Sequence, residues 1–132
     1  VIIDSSAVLA VFLDEPEKDE FTEVILRAEK PLISAANYVE ICLRIDPALN
    51  AIARQAFDEF FAALGLEVMP VTPSQAQIAR KAGQLYGRGS GHKAKLNYGD
   101  CLAYALAKEM DQPLLFKGND FIHTDLKLWP KL

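Results

Sequence analysis

Val1-Ile2-Ile3-Asp4-Ser5-Ser6-Ala7 opens the chain and decides the reading of its fold. Three consecutive apolar, β-branched residues form a strand too short to be half-exposed, so it belongs inside a sheet covered on both faces. Asp4 ends that strand and stands before the helical pattern Ser5 to Leu13. A strand that passes through an acid straight into a helix is the first half of a strand–helix–strand unit.

Working outward, the same grammar repeats. A second helix is expected from near Pro16, with Phe21, Val24, Ile25 and Ala28 on one face, ending before Pro31. Leu32 and Ile33 read as a strand, and Ser34 caps a helix through Tyr38, Val39, Cys42 and Ile45 that Pro47 interrupts. Glu40 rides on that helix. Ala53 to Leu64 has amphipathic spacing and Gly65 stops it, Leu66 to Val71 is a further short strand, and Thr72 caps a helix from Ser74 to about Tyr86. Gly87-Arg88-Gly89-Ser90-Gly91-His92 must be a loop. Asp100 to Ala107 is apolar almost all round and reads as a buried helix with Asp100 at its entrance. Pro113 to Phe116 is another strand, followed by Lys117-Gly118-Asn119-Asp120, and Leu126 to Trp129 adds an edge strand.

The expected fold is therefore α/β: a three-layer sandwich in which four to five short, mostly parallel strands carry helices on both faces. Ligands in such folds bind at the carboxyl ends of the strands. The chain of 132 residues fits a single domain, residues 1–132, and its composition, 51% hydrophobic and 24% charged, excludes a disordered or low-complexity protein. No stretch approaches the ~20 apolar residues of a membrane span, and the opening run is too quickly interrupted by an acid for a signal peptide. The expectation is a cytoplasmic protein without membrane association, in which Cys42 and Cys101 are buried free thiols.

Charge is uneven although the net is only -4. Acids dominate up to Glu67, whereas Val68 to Gly99 contains none and carries Arg80, Lys81, Arg88, Lys93 and Lys95. That block offers phosphate contacts, with a solvated helix and loop face as the plain alternative.

Asp4, Glu40, Asp100 and Asp120 all fall where an apolar pattern predicts a strand end or a buried helix face. Carboxylates ~4 Å apart repel by roughly 4 kcal/mol per pair at an effective dielectric near 20, so a cluster of them calls for a cation or a proton. Mg2+ or Mn2+, hard ions that take oxygen ligands, are the natural occupants. Each acid also has a plain explanation: Asp4 and Asp100 as helix caps, Glu40 paired with Arg44 one turn on, and Asp120 as a turn residue with Asp125 as its rival.

Four stretches carry a resemblance: Val1 to Ala7, Ser34-Ala35-Ala36-Asn37-Tyr38-Val39-Glu40, Leu96-Asn97-Tyr98-Gly99-Asp100-Cys101, and Leu114-Leu115-Phe116-Lys117-Gly118-Asn119-Asp120-Phe121. In this order and spacing the chain resembles a PIN domain, specifically the VapC-type ribonuclease toxins of bacterial toxin–antitoxin modules. The resemblance implies a Mg2+- or Mn2+-dependent endoribonuclease acting on single-stranded or loop RNA. It makes Asp4, Asp100 and Asp120 metal ligands, with Glu40 completing the catalytic site directly or through water, and Ser6 and Asn37 supporting it. The family's reaction uses metal-activated water for in-line attack on a phosphodiester, leaving a 5'-phosphate and a 3'-hydroxyl. Arg80, Arg88, His92 and Lys93 are candidate RNA contacts. The implied partners are a VapB-type antitoxin and a second copy of the chain, for which Phe12, Phe21, Ile25, Phe57, Phe60 and Phe61 offer apolar surface unless the core takes them.

Competing readings are weaker. Phosphoaspartyl hydrolases need a second Asp where this chain has Ser6, and a P-loop starting at Gly87 would need glycine at His92. His92 and His123 give little support to a metal-free acid–base ribonuclease. A catalytically silent PIN-like module that binds RNA or protein is the alternative from outside the enzymes.

Overall fold

The computed structural model describes residues 1–129. Five strands, β1 (Ile2–Ile3), β2 (Leu32–Ser34), β3 (Glu67–Met69), β4 (Leu114–Leu115) and β5 (Leu128–Trp129), form one sheet in the order β3-β2-β1-β4-β5. Every pairing is parallel, with Ile2 opposite both Leu32 and Leu114. The sheet is thus fully parallel, at the upper end of the expected strand number.

Side chains alternate across it. Ile2, Leu32 and Leu114 pack into one core with α5 (Pro73–Tyr86) and α6 (Tyr98–Met110). Ile3, Ile33 and Leu115 pack into a second core with α1 (Ser5–Phe12), α2 (Lys18–Arg27), α3 (Ala35–Ile45) and α4 (Ala51–Leu64). One helical layer on each face is the three-layer sandwich. The chain winds outward from β1 through β2 to β3, then crosses back to β4 on the other side of β1. The crevice between the carboxyl ends of β1 and β4 is therefore the topological switch point, where such sheets bind ligands. Asp4 sits there, its N–H donating to Leu115 O at 2.9 Å.

Local chemistry explains the boundaries. Ser34 and Thr72 accept hydrogen bonds from Ala36 N and Gln75 N, at 3.2 and 3.1 Å, as helix caps. Gly65 ends α4 at φ 69, a left-handed conformation that favours glycine. Three expectations are corrected. The second helix starts at Lys18 because Glu15 to Glu17 form a turn closed by Lys18 N donating to Glu15 O. The third strand shrinks to Glu67–Met69 because Pro70 has no N–H to give the ladder. The buried helix α6 begins at Tyr98, two residues ahead of Asp100, because Asn97 is its cap.

The aromatic residues of the first half go inward. Phe21, Ile25 and Phe57 are buried, and Phe12, Phe60 and Phe61 pack against that core. The rings of Phe12 and Phe57 meet edge-on at 5.0 Å between centroids. These residues hold α1, α2 and α4 together, with Phe12, Phe60 and Phe61 still partly exposed. Cys42 and Cys101 are free, Cys101 buried as expected and Cys42 only partly so. No helix among the described residues is long and apolar enough to cross a membrane.

Replacing Phe57, 1% exposed, by alanine should lower the unfolding free energy by about 3–5 kcal/mol in urea melts. Leu26→Ala, at a residue 58% exposed, should stay within about 0.5 kcal/mol.

Candidate functional site

Asp4 is buried at the end of β1 and caps α1. Its Oδ2 accepts from Ser6 N at 3.0 Å and from Ser6 Oγ at 2.5 Å. Ser6 Oγ in turn accepts from Lys117 N at 2.9 Å, which ties the loop after β4 to the start of α1. Capping and site membership are therefore not rivals: one carboxylate oxygen serves the helix, while Oδ1 is buried with no hydrogen-bond partner.

Asp100 repeats the device in α6. Asn97 Oδ1 accepts from Asp100 N at 2.8 Å and Asp100 Oδ2 accepts from Asn97 N at 3.0 Å, a reciprocal capping box. The box seats Asp100 in the first turn of a helix that is buried along most of its length.

Glu40 reaches the same space from α3. Its Oε1 accepts from Ser5 Oγ at 2.5 Å and, more loosely, from Asn37 Nδ2 at 3.5 Å. The surface pairing with Arg44 is not among the ion pairs of the described residues. Asn37 is fully buried and also donates to Gly99 O at 3.0 Å, fastening α3 to the entrance of α6. Asp120 is exposed in the loop after β4.

Electrostatics shows which acids share the space. Burial pushes the Asp4 carboxyl up to about 6; the two Ser6 hydrogen bonds pull it down, and the charges of Glu40 and Asp120 push it further up. Asp100 rises to about 7, again chiefly through burial, against the Asn97 N–H bond, with Asp4, Asp120 and Glu40 adding repulsion. The charges of Glu40 and Asp120 thus bear on Asp4, and those of Asp4, Asp120 and Glu40 on Asp100, across four segments distant in sequence.

Asp125 is elsewhere. It accepts from Tyr104 Oη at 2.6 Å and Lys108 Nζ at 2.8 Å, fixing the segment before β5 to α6. Burial raises its carboxyl, but these two bonds outweigh that and hold it below the ordinary value.

The donor set fits a hard divalent cation. It is made of carboxylate oxygens, and Asp4 Oδ1 is a desolvated acceptor that nothing in the protein satisfies. Among the described residues no three of the His, Cys, Asp and Glu side chains stand close enough together to hold a metal ion as they are. The charge repulsion that adds to the effect of burial on Asp4 and Asp100 also disfavours their closer approach without a cation.

The basic candidates are less integrated. Arg80, on α5, and Arg88 and Lys93, on the glycine loop, are exposed and make no ion pair among the described residues. His92 supports the loop itself, since its Nδ1 accepts from Ala94 N at 3.0 Å and its ring meets Tyr86 edge-on at 4.9 Å. The loop closes at its neck, where Leu96 N donates to Tyr86 O and Arg88 N to Leu96 O, and delivers the chain to the Asn97 cap.

Residues 1–127 match the PIN domain family. The chain is a PIN domain of the VapC type. Ribonuclease VapC28 of Mycobacterium tuberculosis is 42% identical to it over 127 residues, covering 96% of each chain. Ribonuclease VapC42 of the same species is 39% identical over 131 residues, covering 96% of this PIN domain and 97% of that protein. Two solved structures share the fold. A chain of a toxin–antitoxin complex from Klebsiella pneumoniae has a TM-score of 0.74 at 16% identity, covering 100% of this chain and 99% of that one. VapBC2 from Rickettsia felis, bound to a promoter DNA fragment, has a TM-score of 0.75 at 12% identity, covering 96% and 94%.

Sequence reading missed several parts of this PIN domain's site: Ser5, Asn97, Gly99 and Lys117. The Asn97 cap had a signal, an Asn followed three residues later by an acid at the head of an apolar run. Ser5 and Lys117 had none, because one acts through a side chain 35 residues away and the other through its backbone N–H.

With Asp4 and Asp100 raised, the folded chain holds protons that the unfolded chain releases above the ordinary value of 3.8. Stability in chelator-containing buffer should therefore fall as pH rises from 3.8 through the folded values of about 6 and about 7. Cation binding needs the deprotonated carboxylates, so added Mn2+ should raise Tm more at about pH 8 than at about pH 5. Thermal melts at both pH values, with and without Mn2+, check both signs.

Proposed function

We propose that this PIN domain is a Mg2+- or Mn2+-dependent endoribonuclease that cuts single-stranded or loop RNA, acting as the toxin of a toxin–antitoxin pair. The observation that carries this is the gathering of Asp4, Glu40, Asp100 and Asp120 at the switch point, with Asp4 Oδ1 buried and unsatisfied. Relatives at about 40% identity over nearly the whole chain are named ribonucleases, which supports RNA as the substrate.

Asp4, Asp100 and Asp120 would hold the cation, and Glu40 would complete the set directly or through water. When bound, the cation supplies Lewis-acid activation of water and neutralises charge at the phosphodiester. The chain's own contribution is position. Ser6 orients Asp4, Asn97 orients Asp100, and Ser5 with Asn37 orients Glu40. Glu40 would be the group to take a proton from the attacking water. Arg80, Arg88 and Lys93 would hold phosphates away from the acids, offsetting the repulsion between an acidic site and an anionic strand. His92 would contribute by shaping the glycine loop.

The partners follow from the same reading. A VapB-type antitoxin is supported by the VapBC2 complex that shares this fold. A homodimer is supported by Val39 and Leu43, one turn apart on α3 and 50% and 72% exposed, more than by the aromatic residues, of which Phe21 and Phe57 lie in the core and Phe12, Phe60 and Phe61 are partly buried against it. Light scattering at high concentration checks the dimer, and a monomer there refutes it.

Purified protein should cleave unstructured RNA with Mg2+ or Mn2+ and stop in EDTA. Asp4→Asn and Asp100→Asn should each lower the cleavage rate at least about a hundredfold, the scale expected when a group stabilising the transition state is lost. Asp125→Asn should keep near wild-type cleavage while losing stability, since its bonds go to Tyr104 and Lys108. Cleavage in EDTA, or wild-type rates in either site variant, would refute the assignment. RNA binding without cleavage would instead make this a silent binding module.

A further inference from the structure

Gly99 sits in the first turn of α6, directly before Asp100, in backbone that any residue can adopt, since its φ is not among the positive values of the chain. Glycine is the weakest helix former after proline, so its presence there needs a reason other than the backbone. Space supplies one. A Cβ built on Gly99 would stand 2.0 Å from Glu40 Oε2, 2.6 Å from Glu40 Cδ and 2.7 Å from Glu40 Oε1. The volume that any side chain at position 99 would need is filled by the Glu40 carboxylate.

The contact does not stand alone. Gly99 O accepts from Asn37 Nδ2, and Asn37 lies one turn before Glu40 on α3. Ser5 Oγ holds the other side of the carboxylate through Oε1. Glu40 is thus bounded by a hydroxyl, a buried amide and bare backbone. We propose that Gly99 is a positioning residue whose missing side chain creates the seat for the Glu40 carboxylate, so that α3 and α6 pack closely enough for Glu40 to serve the same cation as Asp100. The cation part rests on the functional reading above; the seat itself rests on the packing alone.

Glu40 is a flexible side chain, so Gly99→Ala need not prevent folding; it would swing the carboxylate out of the seat. The test compares wild type, Gly99→Ala, Glu40→Ala and the double variant by thermal melting and by Mn2+ titration without RNA. Gly99→Ala should weaken Mn2+ binding about 10–100-fold, the range for losing a group that orients a ligand. In the Glu40→Ala background, adding Gly99→Ala should cause no further loss of binding and no fall in Tm, because the clash has gone. Gly99→Ala with Glu40→Asp, one methylene shorter, should recover part of the Mn2+ affinity. Wild-type Mn2+ affinity in Gly99→Ala, or equal effects of that substitution on both backgrounds, overturns the proposal. If wild type binds no Mn2+, the nuclease reading and the cation part of the proposal both fail; the melting comparison then decides the seat, which falls if Gly99→Ala costs as much Tm without the Glu40 carboxylate as with it.

Discussion

Burial of carboxylates beside other carboxylates is the constraint around which this protein is built. Asp4, Glu40, Asp100 and Asp120 come from four segments, and two of them are buried deeply enough to be pushed up to about 6 and about 7. Such a cluster persists only where the scaffold over-determines each member. Here each buried carboxylate spends one oxygen on a helix start, Asp4 as the cap of α1 and Asp100 within the capping box of α6. The same bonds that begin the helices aim the acids. Because the macrodipole of each helix places partial positive charge at its start, these positions also ease the cost of gathering negative charge.

Sheet order makes the gathering possible. With β1 flanked by β2 and β4, the chain leaves the sheet in opposite directions at the centre, opening a crevice at the carboxyl ends of the strands. Ser6 spans it, bonded to Asp4 on one side and to the backbone of Lys117 on the other. Lys117 also pairs with Glu15 and Glu17, so the loop carrying Asp120 is held both at the crevice and at the turn after α1. The two apolar cores lie below this layer and carry no part of the chemistry. Their role is to keep α3 and α6 at a fixed separation, on which the contact between Glu40 and Gly99 depends.

Much of this was legible beforehand. Strands buried on both faces show as unbroken apolar runs, caps show as Ser, Thr or Asn before a periodic segment, and an acid at a strand end is conspicuous because it interrupts a hydrophobic pattern. Asp4, Asp100, Glu40 and Asp120 stood out as candidates in such patterns, but each also had a plain explanation, and it was the order and spacing of the four PIN-like stretches that joined them into one expected site. The aromatic residues were harder: Phe60 and Phe61 have the same spacing whether they face a core or a partner, and only the position of α1 and α4 settles that they face inward. Asp125 was equally ambiguous until Tyr104 and Lys108 claimed it.

Periodicity, caps and breakers are local, so strand and helix order and a largely parallel sheet could be read from residues close together in the chain, while the joining of the acids into one site rested on resemblance to a family. Which side chains meet across 35 or 62 residues could not, because contacts such as Ser5 with Glu40 and Asn37 with Gly99 are set by how layers pack. A glycine in a helix looks like a defect in one dimension. In three it is the space that a carboxylate fills.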